Sequence, residues 1–221
     1  MSRYNPTNMK KIFSKHRQFW SQKKFRYSAY FGFGLLLVSL FANYLANSYV
    51  AAKASNSVAD IILDNIPVFN VDFIFEQGFM IFCLFVAVIL FFHPSKIPFA
   101  VKSVAIFIAV RSISISLTHL AIPPAHSFLD LNNFFLRMTS GNDLFFSAHT
   151  GLPYLLALIF WENKKMRYIF LGLSLFFGVA VLLGHLHYSI DVFAAFFITF
   201  GVFHITKRFF STDNHFLIDE V

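Results

Sequence analysis

Cysteine is almost missing from this chain. The single one, Cys83, lies inside an apolar run, which excludes an internal disulfide framework and a thiolate metal cluster. Charge is also scarce: only 13% of the 221 residues are Asp, Glu, Lys or Arg, against about a quarter in a soluble domain. Acidic residues are the rarer sign, 11 against 18 basic ones. No internal repeat and no Pro/Gly/Ser-rich linker is found, so nothing marks a second domain.

What remains is apolar. Hydrophobic residues make up 57% of the chain, 33 of them phenylalanine, and the mean hydropathy is +0.63. The expected fold class is an all-α integral membrane protein, because lipid offers unpaired backbone groups no partner. Runs long enough to cross the hydrocarbon layer occur at 27–50, 72–92, 98–120, 144–161, 168–187 and 189–206. The expected organisation is a basic cytoplasmic tail over 1–26, a six-span domain over 27–206 and a second cytoplasmic tail over 207–221. The run at Tyr27 to Val50 exceeds a signal-peptide core, so no cleaved signal is expected. The phenylalanines read as lipid-facing filler. Tyr44, Tyr49, Trp161 and Tyr168 near span ends fit an interfacial aromatic belt.

The basic residues set an orientation. Eight lie in the first 26 residues, from Arg3 to Arg26. Lys96, Lys164, Lys165, Arg167, Lys207 and Arg208 fall on the same side of a six-span arrangement. The opposite connections hold Lys53 and Arg137 against Asp60, Asp64, Asp130 and Asp143. Both termini are therefore expected in the cytoplasm. The same clustering makes the basic excess a membrane flank rather than a nucleic-acid surface.

Two stretches stand out, Asp143 to Thr150 and His185 to Asp191. Each sets ionisable and hydroxyl groups at the edge of an apolar run, where they are costly unless used. The charge-derived topology brings His149, His187 and Asp191 to one outward face. That orientation used none of these residues. Arg111, about 20 Å into the third span from Pro98 at 1.5 Å per residue, falls in the same half of the bilayer, where a guanidinium wants an anion.

His187 and Asp191 are four apart, within roughly 40° of alignment on a helix. A carboxylate bound to one ring nitrogen frees the other as nucleophile or base. His149 is the candidate acid for a leaving oxygen, and Arg111 the candidate clamp on a phosphate. The set suits attack on a lipid phosphate ester. A metal site built from His149, His185, His187 and Asp191 is the chemical alternative, although His185 and His187 diverge by about 200° on a helix. Simpler readings stand beside these. Asp143 could cap the fourth helix, Ser147 and Thr150 could bond back to helix carbonyls, and Arg111 could be structural.

The pattern Asp143-x3-Ser147-x-His149-Thr150 resembles the third signature of the sphingomyelin synthases, and His187-Tyr188-Ser189-x-Asp191 resembles their fourth. Arg111-Ser112-Ile113-Ser114, followed by Thr118 and Pro123-Pro124, resembles their R-S-I-T segment. Order and spacing agree over roughly 100–206. Ala148 replaces a glycine of that signature, and Gly141-Asn142 stands where the family has Cys-Gly. Serine follows Arg111, and Val181 falls where lipid phosphatases of the wider superfamily carry a second arginine.

The resemblance implies the helical core of the phosphatidic-acid phosphatase type 2 superfamily and a cofactor-free site facing away from the cytosol. It implies His187 as nucleophile, Asp191 as its orienting group and His149 as the acid. Arg111, Asp143, Ser147, His185 and Tyr188 are the candidate substrate- and phosphate-binding residues. The implied partners are the bilayer and its lipids: phosphatidylcholine or phosphatidylethanolamine as donor, ceramide or another lipid alcohol as acceptor, and diacylglycerol as product. A lipid phosphatase or phospholipase C-like hydrolase using water at the same site is the first alternative. A transporter or proton-relay subunit without catalysis is the second.

Overall fold

The computed structural model describes residues 6–53, 56–124, 144–213 and 216. Its elements are helical. Helix α1 (Pro6–Ser21) is separated by Gln22 alone from α2 (Lys23–Lys53). A π-helical stretch, Ile74–Gly78, leads into α3 (Phe79–Phe92). Helix α4 spans Ile97–Thr118, with Pro98 in its first turn, where a missing N–H costs nothing. Then follow α5 (Ala148–Ile159), α6 (Lys164–Leu183) and α7 (Ser189–Phe209).

Five of these stretches are long and apolar enough to cross a membrane: Lys23–Lys53, Ile74–Phe92, Pro94–Thr118, Lys164–Leu183 and Ser189–Phe209. The chain is thus multi-pass by length and composition. The expected count of six is corrected to five, because the run at 144–161 gives only the 12-residue α5. At 1.5 Å per residue α5 is about 18 Å long, short of the ~30 Å of hydrocarbon. Its start is trimmed by local chemistry. Leu144 pairs with Leu120 in an isolated antiparallel bridge, Phe146 takes a positive φ of 34°, and Ser147 turns extended to cap the helix. The fifth expected span, 168–187, keeps its length but is displaced to Lys164–Leu183, 20 residues. It ends at Leu183, because His185 adopts a left-handed φ of 52°.

Contacts sort the helix ends into two groups. At one end, the His16 ring donates to the Phe91 carbonyl (2.8 Å), Lys96 lies 5.2 Å over the Phe160 ring, and Lys102 binds Asp213 (2.7 Å). Phe19, Phe25, Ala29 and Phe216 pack together there. At the other end, the Phe69 N–H donates to the Leu183 carbonyl (2.8 Å), and the Ser189 N–H to the Asp60 carboxylate (2.6 Å). The stretch expected as a plain basic tail is therefore helix α1, packed on the first end together with the C-terminal segment.

The phenylalanines divide between two roles. Phe41, Phe73, Phe193, Phe197 and Phe209 are exposed on the outer surface, as lipid-facing filler would be. Phe82, Phe99, Phe107, Phe146, Phe160, Phe170 and Phe177 are instead buried in one core cluster beneath the candidate site. Periodicity does not separate these groups, since α2 and α4 are apolar around most of their circumference.

Candidate active site

The site is assembled at the second end, where α5 and α7 begin. Helix α7 starts after Tyr188, and its free first-turn amides need acceptors. Asp191, in that first turn, folds back so that Oδ2 accepts the Tyr188 N–H at 3.1 Å. The same oxygen meets Nδ1 of His187 at 3.2 Å. Asp191 is fully buried and His187 nearly so. The carboxylate can only accept in this bond, so Nδ1 carries the proton and Nε2 is left as the basic nitrogen. His187 itself lies in the 184–188 turn, outside the helix, and the four-residue spacing still closes the bond.

The second histidine comes from the other motif. Ser147 caps α5, its Oγ accepting the Thr150 N–H at 3.4 Å. This fixes the first turn that carries His149. The Ser147 N–H also donates to the Asp191 carbonyl at 3.1 Å, which ties the two motifs together through the backbone. The His149 ring stacks on Phe75 (centroids 4.0 Å apart, planes 22°) and lies against Phe79 (4.1 Å). Its Nε2–H donates to the Phe75 carbonyl at 3.1 Å. Nδ1 is then the nitrogen left to give or take a proton. The His187 ring and the Arg111 guanidinium both stand near enough to act electrostatically on His149. Arg111 is buried on α4. The two histidines, Asp191 and Arg111 thus form one cluster.

Other sequence candidates hold different places. His185 is buried beside the pair, and its Nε2 has no hydrogen-bond partner among the described residues. Tyr188 is engaged in architecture: its hydroxyl donates to the Ala121 carbonyl (2.9 Å) and accepts the Val58 N–H (3.2 Å). The Ser147 hydroxyl is fully buried in its cap. The expected placement of Asp143 lies outside the described residues. Among the described residues no three His, Cys, Asp or Glu side chains converge as metal donors.

Sequence reasoning missed the aromatic walls Phe75 and Phe79, which carry no signal among 33 phenylalanines. It also missed Asp60. The Asp60 carboxylate is buried, which would raise its pKa. The amides of Ser189, Ile62 and Leu63 and the Ser189 hydroxyl outweigh burial and hold it below the ordinary value. The Asp-x3-Asp pair of Asp60 and Asp64, in the connection between α2 and α3, was the available hint.

One end of this multi-pass helical bundle thus gathers a buried His–Asp pair, a second histidine and an arginine. Residues 140–208, about a third of the chain, match the model of the PAP2 superfamily C-terminal family, PAP2_C. The matched segment contains His149, His187 and Asp191 and ends within α7. No curated protein and no solved structure matches the chain.

Proposed function

We propose that the protein is a membrane lipid phosphotransferase of the sphingomyelin synthase kind. It moves a phospho-headgroup from phosphatidylcholine or phosphatidylethanolamine to a lipid alcohol such as ceramide. The observation that carries this reading is the buried 3.2 Å bond between His187 Nδ1 and Asp191 Oδ2, with His149 and Arg111 beside it.

His187 Nε2 attacks phosphorus and the bond to the diacylglycerol oxygen breaks. His149 gives that oxygen its proton, and diacylglycerol leaves. The acceptor hydroxyl then attacks the phosphoryl-histidine, returns a proton to His149 and frees His187. Arg111 balances the phosphate charge and His185 offers a further ring nitrogen to it. Asp143 serves the same substrate. Ser147 and Tyr188 act by holding the two motifs in place.

Helix α5, too short for a full span, runs between the two bundle ends. This is supported by Phe160, one residue past α5, lying at the first bundle end against His93 and Lys96 while Leu144 lies at the second. The first end, with Lys96, Lys164, Lys165, Lys207 and Arg208, faces the cytoplasm, and the site faces away from it.

The test is reconstitution of the pure protein with labelled phosphatidylcholine and phosphatidylethanolamine, with and without ceramide, in the presence of chelator. Labelled lipid product that forms only with acceptor is the expected result. Soluble headgroup phosphate released without acceptor assigns the site to hydrolysis. Activity that survives His187→Ala rules out the nucleophile, and loss of activity on chelation points to a metal.

A further inference from the structure

The first turn of α7 carries Asp191, and something must fix that turn. Asp191 satisfies the Tyr188 N–H, and the next amide, that of Ser189, is satisfied from far away in the chain. Its acceptor is Asp60 Oδ2 at 2.6 Å, 129 residues upstream in the connection between α2 and α3. The other Asp60 oxygen accepts the amides of Ile62 (2.9 Å) and Leu63 (3.2 Å), and the Asp60 N–H donates to Asp64 Oδ2 (3.2 Å). The carboxylate is therefore held rigidly by its own segment before it reaches α7. A parallel tie runs from the Val58 N–H to the Tyr188 hydroxyl and on to the Ala121 carbonyl. Asp60 and Tyr188 are both buried.

We propose that Asp60 is a positioning residue for the His187–Asp191 pair. From outside the matched family segment, it anchors the first turn of α7 and thereby the register of Asp191. This rests on the reading of that pair as the reacting centre. A displacement of about 1 Å at such a pair costs on the order of a hundredfold in rate, and the Asp60 bond ends two residues from Asp191. A negative group at a helix N-terminus also favours the fixed turn electrostatically.

Asp60→Ala is expected to lower kcat about ten- to hundredfold while the donor-lipid KM stays within about twofold. Adding Ser189→Pro supplies the rescue. Ser189 is the first helical residue, where proline is preferred and removes the orphaned N–H. Tyr188 already has the extended backbone, φ −70° and ψ 157°, that a following proline requires. Most of the lost kcat should return in the double variant.

A KM increase at unchanged kcat, or no recovery in the double variant, overturns the proposal. Hydrogen exchange is the independent arm. The first-turn amides of α7 should exchange faster in Asp60→Ala than in the parent, while those around Thr199 do not change. Unchanged first-turn exchange also overturns the proposal. If the parent protein turns over no phospholipid, the functional reading fails, and exchange still judges the anchor by itself.

Discussion

At the scale of single residues, one oxygen does two jobs. Asp191 Oδ2 takes both the Tyr188 amide and His187 Nδ1, so the helix start and the imidazole tautomer are set by the same atom. Asp191→Asn separates these tasks. The amide oxygen can still accept the Tyr188 N–H, so the fold should persist and the melting temperature should stay close to the parent's. The tautomer is no longer enforced, and lipid turnover should fall about 10³- to 10⁴-fold, as when the carboxylate of a serine-protease triad is neutralised.

The three ionisable residues were legible in the sequence because such groups are rare and costly in an apolar chain. The duties of Ser147 and Tyr188 were not. A hydroxyl reads equally as ligand, cap or strut until its partners are known, and here those partners are Thr150, Ala121 and Val58.

At the scale of elements, α5 is positioned by close packing. A Cβ added at Gly151, two residues after His149, would stand 2.7 Å from Phe107 Cε2 and 2.8 Å from Thr199 Oγ1. Gly151→Ala should therefore push α5 away from α4 and α7. It should cost about 1–3 kcal/mol in stability and lower turnover as His149 moves, read by thermal melting and lipid assay together.

At the other end, Lys102 and Asp213 form a buried pair that ties α4 to the C-terminal segment, with Ser28 of α2 bonded to both. Asp213→Asn or Lys102→Ala leaves one buried charge alone and should cost about 3 kcal/mol, whereas the double change Lys102→Met with Asp213→Leu should recover most of it.

The Asp60 anchor adds a pH effect. Its folded pKa lies below the ordinary 3.8, so its stabilisation is complete above that value and is lost as pH falls through the lower, folded one. Melting temperature should drop in acid below about pH 4, and Asp60→Asn should flatten that part of the curve.

Four long spans and α2 were readable from apolar runs alone. The ends of α5 and α6 were not, since a capping serine and left-handed turns at Phe146 and His185 override hydropathy over a few residues.

At the scale of the whole molecule, the N-terminal helix and the C-terminal segment come to one end of the bundle, and His149 and His187 to the other. Basic residues crowd the first end. With the site at the far end, reagents added outside sealed cells or vesicles of native orientation should modify a cysteine introduced at exposed Ile61, and should not reach one introduced at Lys207. Labelling in the reverse pattern contradicts the orientation.

The gathering of Lys96, Lys164, Lys165, Lys207 and Arg208 at one end was legible in the sequence, because the basic flanks alternate with the spans. The aromatic cage around His149 was not, because tertiary packing alone selects Phe75 and Phe79 from so many phenylalanines.

The central claim is that His187 carries the phospho-headgroup between two lipids. The most direct measurement is a single-turnover trap: the reconstituted protein is mixed with headgroup-labelled phosphatidylcholine without acceptor, quenched in alkali and mapped by mass spectrometry. The account predicts a headgroup-phosphate adduct on His187 that disappears when ceramide is added and never forms in His187→Ala. Product formation with an adduct on another residue, or with none at any time, would contradict it.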